Sequence, residues 1–197
     1  MSHHLYHTSG FILGSSASGE ANRVFRIFTR EVGLVYATAQ GVRYLKSKLR
    51  YGLQDYSFVD VSLVRGREVW RVTGASKREN ILDSLRGNPE LCGVFGRVFA
   101  LLDRLLSGEE KNELLWQYLE GAMQFATTKE HSSTAVRHFE YILVLRILSS
   151  LGYLGQSPET VSFVESPYWS DELLLDVAER VPHILGEINK SLRESQL

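Results

Sequence analysis

The sequence predicts a β + α chain: a small, closed β-barrel followed by an all-α helical bundle. Three observations carry this. Val59, Val61 and Leu63 alternate with Asp60 and Ser62, the period of a strand with one buried face. Short runs rich in β-branched and aromatic residues recur through residues 1–75, separated by turn formers. Beyond Thr73 the period lengthens: Phe95, Val98, Phe99, Leu102, Leu105 and Leu106 follow the i, i+3, i+4, i+7 spacing of an amphipathic helix.

Strands are expected over residues 5–13, 22–28, 34–39, 59–63 and 68–73. Gly33, Gly41 and Gly66 punctuate them, and Gly14-Ser15-Ser16-Ala17-Ser18-Gly19 reads as a turn. So many short strands in so short a segment are expected to close on themselves, because bare edges invite pairing with other chains. Alternation turns Phe25 and Ile27 into the barrel and Arg26 out of it. Phe11, Phe58 and Trp70 are expected in the core. Residues 41–52 then form a long connection leaving the barrel.

In the second half, helices are expected from Phe95 to about Gly108, over 109–128, over 134–151, over 171–180 and over 182–194. Phe139, Ile142, Leu143, Ile147 and Leu151 make the stripe of the third, with Gly152 as its C-terminal cap. Glu109 and Glu110 are expected to open the second helix, where its dipole favours negative charge. Residues 155–170, containing Pro158 and Pro167, read as a loop. A boundary is expected after residue 76.

Composition narrows the function. The chain has 197 residues, 44% hydrophobic and 23% charged, as in ordinary globular proteins. No run is long enough to span a membrane, and no apolar leader opens the chain, so a soluble cytoplasmic protein is expected. Cys92 is the only cysteine, which excludes an internal disulfide and a cysteine-built zinc site and suggests a small buried hydrophobe. Residues 1–80 carry 12 Lys+Arg against 6 Asp+Glu, whereas residues 81–197 carry 10 against 17. A basic half attracts polyanions and an acidic half does not.

The basic half has a focus. Residues 32–54 contain no acidic side chain, and within them Arg43, Lys46, Lys48 and Arg50 interleave with Tyr44, Leu45, Leu49 and Tyr51. Cations among aromatics suit a phosphate backbone with bases stacked beside it. The candidate nucleic-acid contacts are Arg23, Arg26, Arg43, Lys46, Lys48 and Arg50, with Tyr44 and Tyr51 for stacking. Arg65, Arg67 and Arg71 read as solvated charges around the Gly66 hairpin. Hydroxyls in the 14–19 run could also touch a phosphate.

Catalytic patterns are missing: no phosphate-binding lysine loop, no His-Glu-x-x-His pair and no dinucleotide fingerprint. His3, His4 and His7 cluster near the start without further ligands, and His138 and His183 fall in predicted helices. The carboxylates of the basic half are dispersed. Neither an enzyme, a metal nor a cofactor is expected. A competing reading is a protein-interaction adaptor with little nucleic-acid affinity, docking through Arg97, Arg104, Arg137 and Arg146 if these gather around apolar pockets.

Several segments resemble one family. Tyr6-His7-Thr8-Ser9-Gly10-Phe11-Ile12-Leu13, Gly19-Glu20-Ala21-Asn22-Arg23 and Ile27-Phe28-Thr29-Arg30-Glu31-Val32-Gly33-Leu34 are similar to the N-terminal domain of the bacterial RecO recombination family. The likeness continues through Ala39-Gln40-Gly41-Val42-Arg43, Ser47 and Leu53-Gln54-Asp55-Tyr56-Ser57. In the helical half it rests on Phe139-Glu140-Tyr141-Ile142-Leu143, Leu151-Gly152-Tyr153, Glu187-Ile188-Asn189-Lys190 and Glu194-Ser195.

The resemblance implies an N-terminal OB-fold over residues 1–76 and a helical domain over 77–197. It also implies a non-enzymatic DNA-repair mediator. Such a mediator binds single- and double-stranded DNA, anneals strands coated with single-strand-binding protein (SSB), and works with RecR to load recombinase. The SSB C-terminal tail would be a further partner, and the site of action the bacterial cytoplasm at the nucleoid. DNA contacts would fall on Arg23, Arg43, Lys46, Lys48 and Arg50. Many family members carry a four-cysteine zinc module after the Leu-Gly-Tyr stretch. Here that place holds cysteine-free residues 155–170, so the chain resembles a short form without the module.

Overall fold

The computed structural model describes residues 4–66, 69–155 and 157–195. His3, Arg67 and Glu68 lie outside the described residues, so the expectations placed on them are not followed further. The chain divides into two compact units. One comprises residues 1–86 and 95–111, the other residues 87–94 and 112–197.

The first unit is built on five strands: β1 (Leu5–Ser18), β2 (Asn22–Thr29), β3 (Gly33–Ala39), β4 (Ser57–Arg65) and β5 (Trp70–Asn80). They close into a barrel in the order β1-β2-β3-β5-β4, the OB-fold arrangement. All pairings are antiparallel except β3 with β5, which meet in parallel at Ala37–Trp70 and Thr38–Arg71. Closure depends on the length of β1. Its first half pairs with β4 from Leu5 to Phe11, and its second half pairs with β2 from Gly10 to Ser18. A register shift between Ile12 and Gly14 bends the strand between its two partners.

Residues 14–18 are therefore strand rather than the expected turn. Pairing with Asn22–Arg26 satisfies their backbone groups and overrides a turn-forming composition, leaving only Gly19 in the left-handed region (φ 65°). Alternation fills the interior as expected: Ile12, Phe25, Ile27, Val35, Val59, Val61, Leu63, Trp70 and Val72 form one buried cluster. Each fully buried side chain of this size contributes about 1.5–3 kcal/mol. Phe11 and Phe58 are buried too, with stacked rings 4.9 Å apart.

Strand β5 runs on to Asn80, beyond the expected end at Thr73, and Asn80 then caps the short helix α2 (Ile81–Ser84) by accepting from Asp83 N. A four-residue helix α1 (Leu49–Gly52) interrupts the β3–β4 connection. Helix α3 (Pro89–Leu105) starts well before Phe95, and its residues from Phe95 onward belong to the barrel unit. There Phe99 meets Phe11 and Tyr56. Glu109 does not open a helix. It accepts from Trp70 Nε1 at 2.8 Å and pairs with Arg65 at 3.2 Å, so Arg65 is not a merely solvated charge.

The second unit gathers α4 (Glu113–Thr128), α6 (Pro158–Val164), α7 (Asp171–Asp176) and α8 (Val181–Glu194) around α5 (Ser133–Ser150). Asn112, Ser132, Ser157 and Ser170 cap α4 to α7 by accepting from backbone N–H groups of the first turn. Gly152 ends α5 in the left-handed conformation (φ 77°), as its position predicts. Burial on α5 is wider than the expected stripe, taking in Leu145, Arg146 and Leu148, because neighbours surround this helix. Helix α6 lies inside the expected loop 155–170, and α7 ends at Asp176, short of the expected 180. Among the described residues no helix is long and apolar enough to cross a membrane. Cys92 is half-buried rather than buried.

Candidate nucleic-acid interface

The β3–β4 connection is fixed to the barrel at both ends. Gly41 turns in the left-handed region and donates its N–H to Asn22 Oδ1 at 2.9 Å, and Arg43 N–H reaches Ala21 O at 3.0 Å. A ladder of turns follows, Tyr44 to Gly41, Ser47 to Tyr44 and Arg50 to Ser47. Val42 and Leu53 join the barrel core and Leu49 packs against it. Gly52 lies so close to β5 that a Cβ there would sit 2.6 Å from Ala75 O. Val42, Leu49 and Leu53 thus face the barrel, and Arg43, Tyr44, Leu45, Lys46, Lys48, Arg50 and Tyr51 are exposed.

Between this connection and the β1–β2 end of the barrel opens a cleft of about 750 Å³. Arg23, Arg43 and Arg50 line it together with Leu45, Tyr51 and Asp55. Tyr51 is 73% exposed and Leu45 80%, so an aromatic and an aliphatic face stand in solvent beside the cations. Arg43 is oriented by a bond from Nη1 to Gly19 O at 3.0 Å. Arg23 donates from Nε (3.0 Å) and Nη2 (2.7 Å) to Ser15 Oγ, and Ser15 donates onward to Asp55 Oδ1 at 2.5 Å. A positively lined groove with an aromatic face and apolar floor is suited to a flexible polyanion carrying planar bases.

The remaining expected residues are placed differently. Lys46, Lys48 and Tyr44 are exposed on the same connection but do not line the cleft. Arg26 does point out of the barrel, yet it is held 2.6 Å from Asp103 Oδ1 in a close ion pair and stays outside the cleft. Arg97 and Arg104 are exposed on the barrel-unit part of α3, while Arg137 is exposed on α5 in the other unit.

Arg146 lies in the interior, 1% exposed. Its guanidinium donates to Phe163 O and Tyr168 O at 2.8 Å each and stacks over Trp169 at 4.2 Å. Burial pushes it down to about 10, so it stays a cation at neutral pH. It organises the helical unit from within and presents no surface charge.

Ser15, one of the hydroxyls expected near a phosphate, does line the cleft, whereas sequence reasoning missed Asp55. The two are 40 positions apart and meet only through barrel closure. A second depression, lined by residues of β1, β4 and β5 together with Arg30 and Glu31, has two carboxylates in its lining. Several of its polar groups are already engaged: Asp60 accepts from Ser9 (2.8 Å) and from Arg78 outside it (2.6 Å), Glu31 pairs with Lys111 (3.2 Å), and His7 Nδ1 meets Ser62 Oγ at 2.9 Å. The first cleft is the better candidate because its guanidinium groups outnumber its carboxylate.

Residues 1–80 match the family model described as recombination protein O, N terminal. Curated relatives, each named DNA repair protein RecO, are similar over longer stretches. That of Alkaliphilus metalliredigens is 29% identical over 161 residues, covering 81% of this chain and 62% of the relative. That of Rubrobacter xylanophilus is 34% identical over 124 residues, covering 55% and 50%. That of Dehalococcoides mccartyi is 27% identical over 150 residues, covering 76% and 57%. The chain thus spans about half to three-fifths of the length of these relatives. With an OB barrel where the family model matches and a helical unit beyond it, the chain is similar to the RecO family over both of its parts.

Proposed function

We propose that this chain is a DNA-binding recombination mediator in DNA repair, which anneals complementary strands and helps load recombinase onto SSB-coated single-stranded DNA. The observation that carries this reading is the cleft in which Arg23, Arg43 and Arg50 converge beside exposed Tyr51. Arginines there neutralise phosphates and release counterions, and the tyrosine offers a stacking face that tolerates any base. Annealing requires that tolerance, since base-edge readout would favour some sequences over others. Lys46 and Lys48, exposed on the same connection, extend the positive surface for either single- or double-stranded DNA.

In this reading the barrel, expected over residues 1–76 and carried by β5 to Asn80, binds nucleic acid, and the helical unit receives protein partners, an RecR-like protein and the SSB C-terminal tail. The acidic balance of residues 81–197 keeps DNA on the barrel. The protein works without a catalytic step, in the bacterial cytoplasm at the nucleoid. Annealing of complementary, SSB-coated oligonucleotides tests the proposal. Annealing is expected with wild type and should be largely lost in Arg43→Gln/Arg50→Gln. Failure to anneal at concentrations where the protein coats the strands would contradict it.

A further inference from the structure

We propose that Asp55 is an internal competitor for the cleft, occupying Arg23 until a phosphate displaces it and thereby setting how tightly the cleft holds a polyanion. The inference rests on the cleft being the nucleic-acid site. Asp55 is the carboxylate among the cleft's lining side chains, and it reaches Arg23 by two routes. Ser15 Oγ bridges them, donating to Asp55 Oδ1 at 2.5 Å while accepting from Arg23 Nε and Nη2 at 3.0 and 2.7 Å. Asp55 Oδ2 also stands 3.8 Å from Arg23 Nη2 directly.

A carboxylate in that place imitates one oxygen edge of a phosphate. Both side chains remain more than a third exposed, so water and salt screen the pair and an arriving phosphate can exchange for it. Arg43 donates to a backbone carbonyl instead, and so keeps its full charge for a ligand. The cleft therefore contains guanidinium groups of two kinds.

Backbone geometry indicates that Asp55 is held there rather than resting there. The next residue, Tyr56, has φ of 62°, a conformation that non-glycine residues adopt only when their surroundings enforce it. Three contacts enforce it here. Tyr56 N–H donates to Ile12 O at 2.9 Å, its carbonyl accepts from Ile81 N at 3.1 Å, and its ring stacks on Phe99 with centroids 5.8 Å apart. The residue before this anchored turn is pointed at Ser15 and Arg23.

The test is fluorescence anisotropy with a labelled oligothymidylate of about 20 nucleotides, titrated at several salt concentrations. Four proteins are compared: wild type, Asp55→Asn, Arg23→Gln and the double variant. Asparagine keeps an acceptor for Ser15 while removing the charge. Binding by Asp55→Asn should be about threefold to fivefold tighter at low salt. Its log K against log salt should keep about the wild-type slope, because Arg23 meets the same phosphate in both complexes once Asp55 is displaced. In the Arg23→Gln background the gain should vanish.

A folded Asp55→Asn protein that binds as wild type does, with wild type binding well, would overturn the competition and leave the cleft in place. A gain that persists without Arg23 would overturn it equally. Absence of binding by both wild type and Asp55→Asn at low salt would instead refute the cleft as the nucleic-acid site.

Discussion

The Arg26 guanidinium lies directly over Gly14 on the neighbouring strand, where an added Cβ would meet Arg26 Nη2 at 2.4 Å. Gly14 thus leaves room for Arg26 to reach Asp103. The obstruction is the far end of a flexible side chain, so Gly14→Ala should displace Arg26 at a cost of about 1 kcal/mol or less. Gly33 differs: its φ is 87°, and a Cβ would meet Glu110 O at 2.3 Å and Glu110 N at 2.6 Å, all backbone. Gly33→Ala should cost more than about 3 kcal/mol. Urea melts of both variants check this, and equal losses would contradict it.

Barrel and bundle were readable in the sequence because alternation and helical spacing are local properties. Val59, Val61 and Leu63 announce a strand whatever pairs with it. Strand β1 beyond Leu13 was hidden, because Gly14 to Ser18 have turn composition and become strand only through pairing with Asn22–Arg26. Helix α6 was legible in principle: Ser157, Pro158 and Glu159 are a helix start, masked by reading proline as loop. The cationic connection showed in its residue types, but the Ser15–Asp55 contact in the cleft lining did not, since it depends on distant segments meeting.

Arg146 was placed on the surface by residue type and lies inside because carbonyls at the end of α6 and in the segment after it await it. Replacing it by methionine leaves the carbonyls of Phe163 and Tyr168 without donors and should destabilise the helical unit by about 3 kcal/mol. Arg146→Lys should fare little better, since an ammonium cannot fork to both carbonyls while stacking on Trp169. Tryptophan fluorescence in urea reads the effect. Wild-type stability in Arg146→Lys would contradict the role assigned here.

Asp60 gives the barrel a pH dependence. Burial would raise its carboxyl, but hydrogen bonds from Arg78 and Ser9 outweigh that and hold it below its ordinary value. A carboxyl whose folded value is depressed adds stability that is fully present above about pH 4 and is lost as pH falls through the folded value. Thermal melts of wild type below about pH 4 should show that loss, and Asp60→Asn should show a shallower one. Identical acid profiles would remove Asp60 from the account.

The salt dependence of single-stranded DNA binding by wild type and Arg43→Gln/Arg50→Gln tests whether the cleft is the DNA interface. With about four phosphate contacts, log K for wild type should fall with log salt at a slope near −3, alike for different base sequences. The double variant should bind more weakly on every sequence, with a slope shallower by about 1.4. Binding by a folded double variant that matches wild type in affinity and slope would contradict the cleft as the DNA interface.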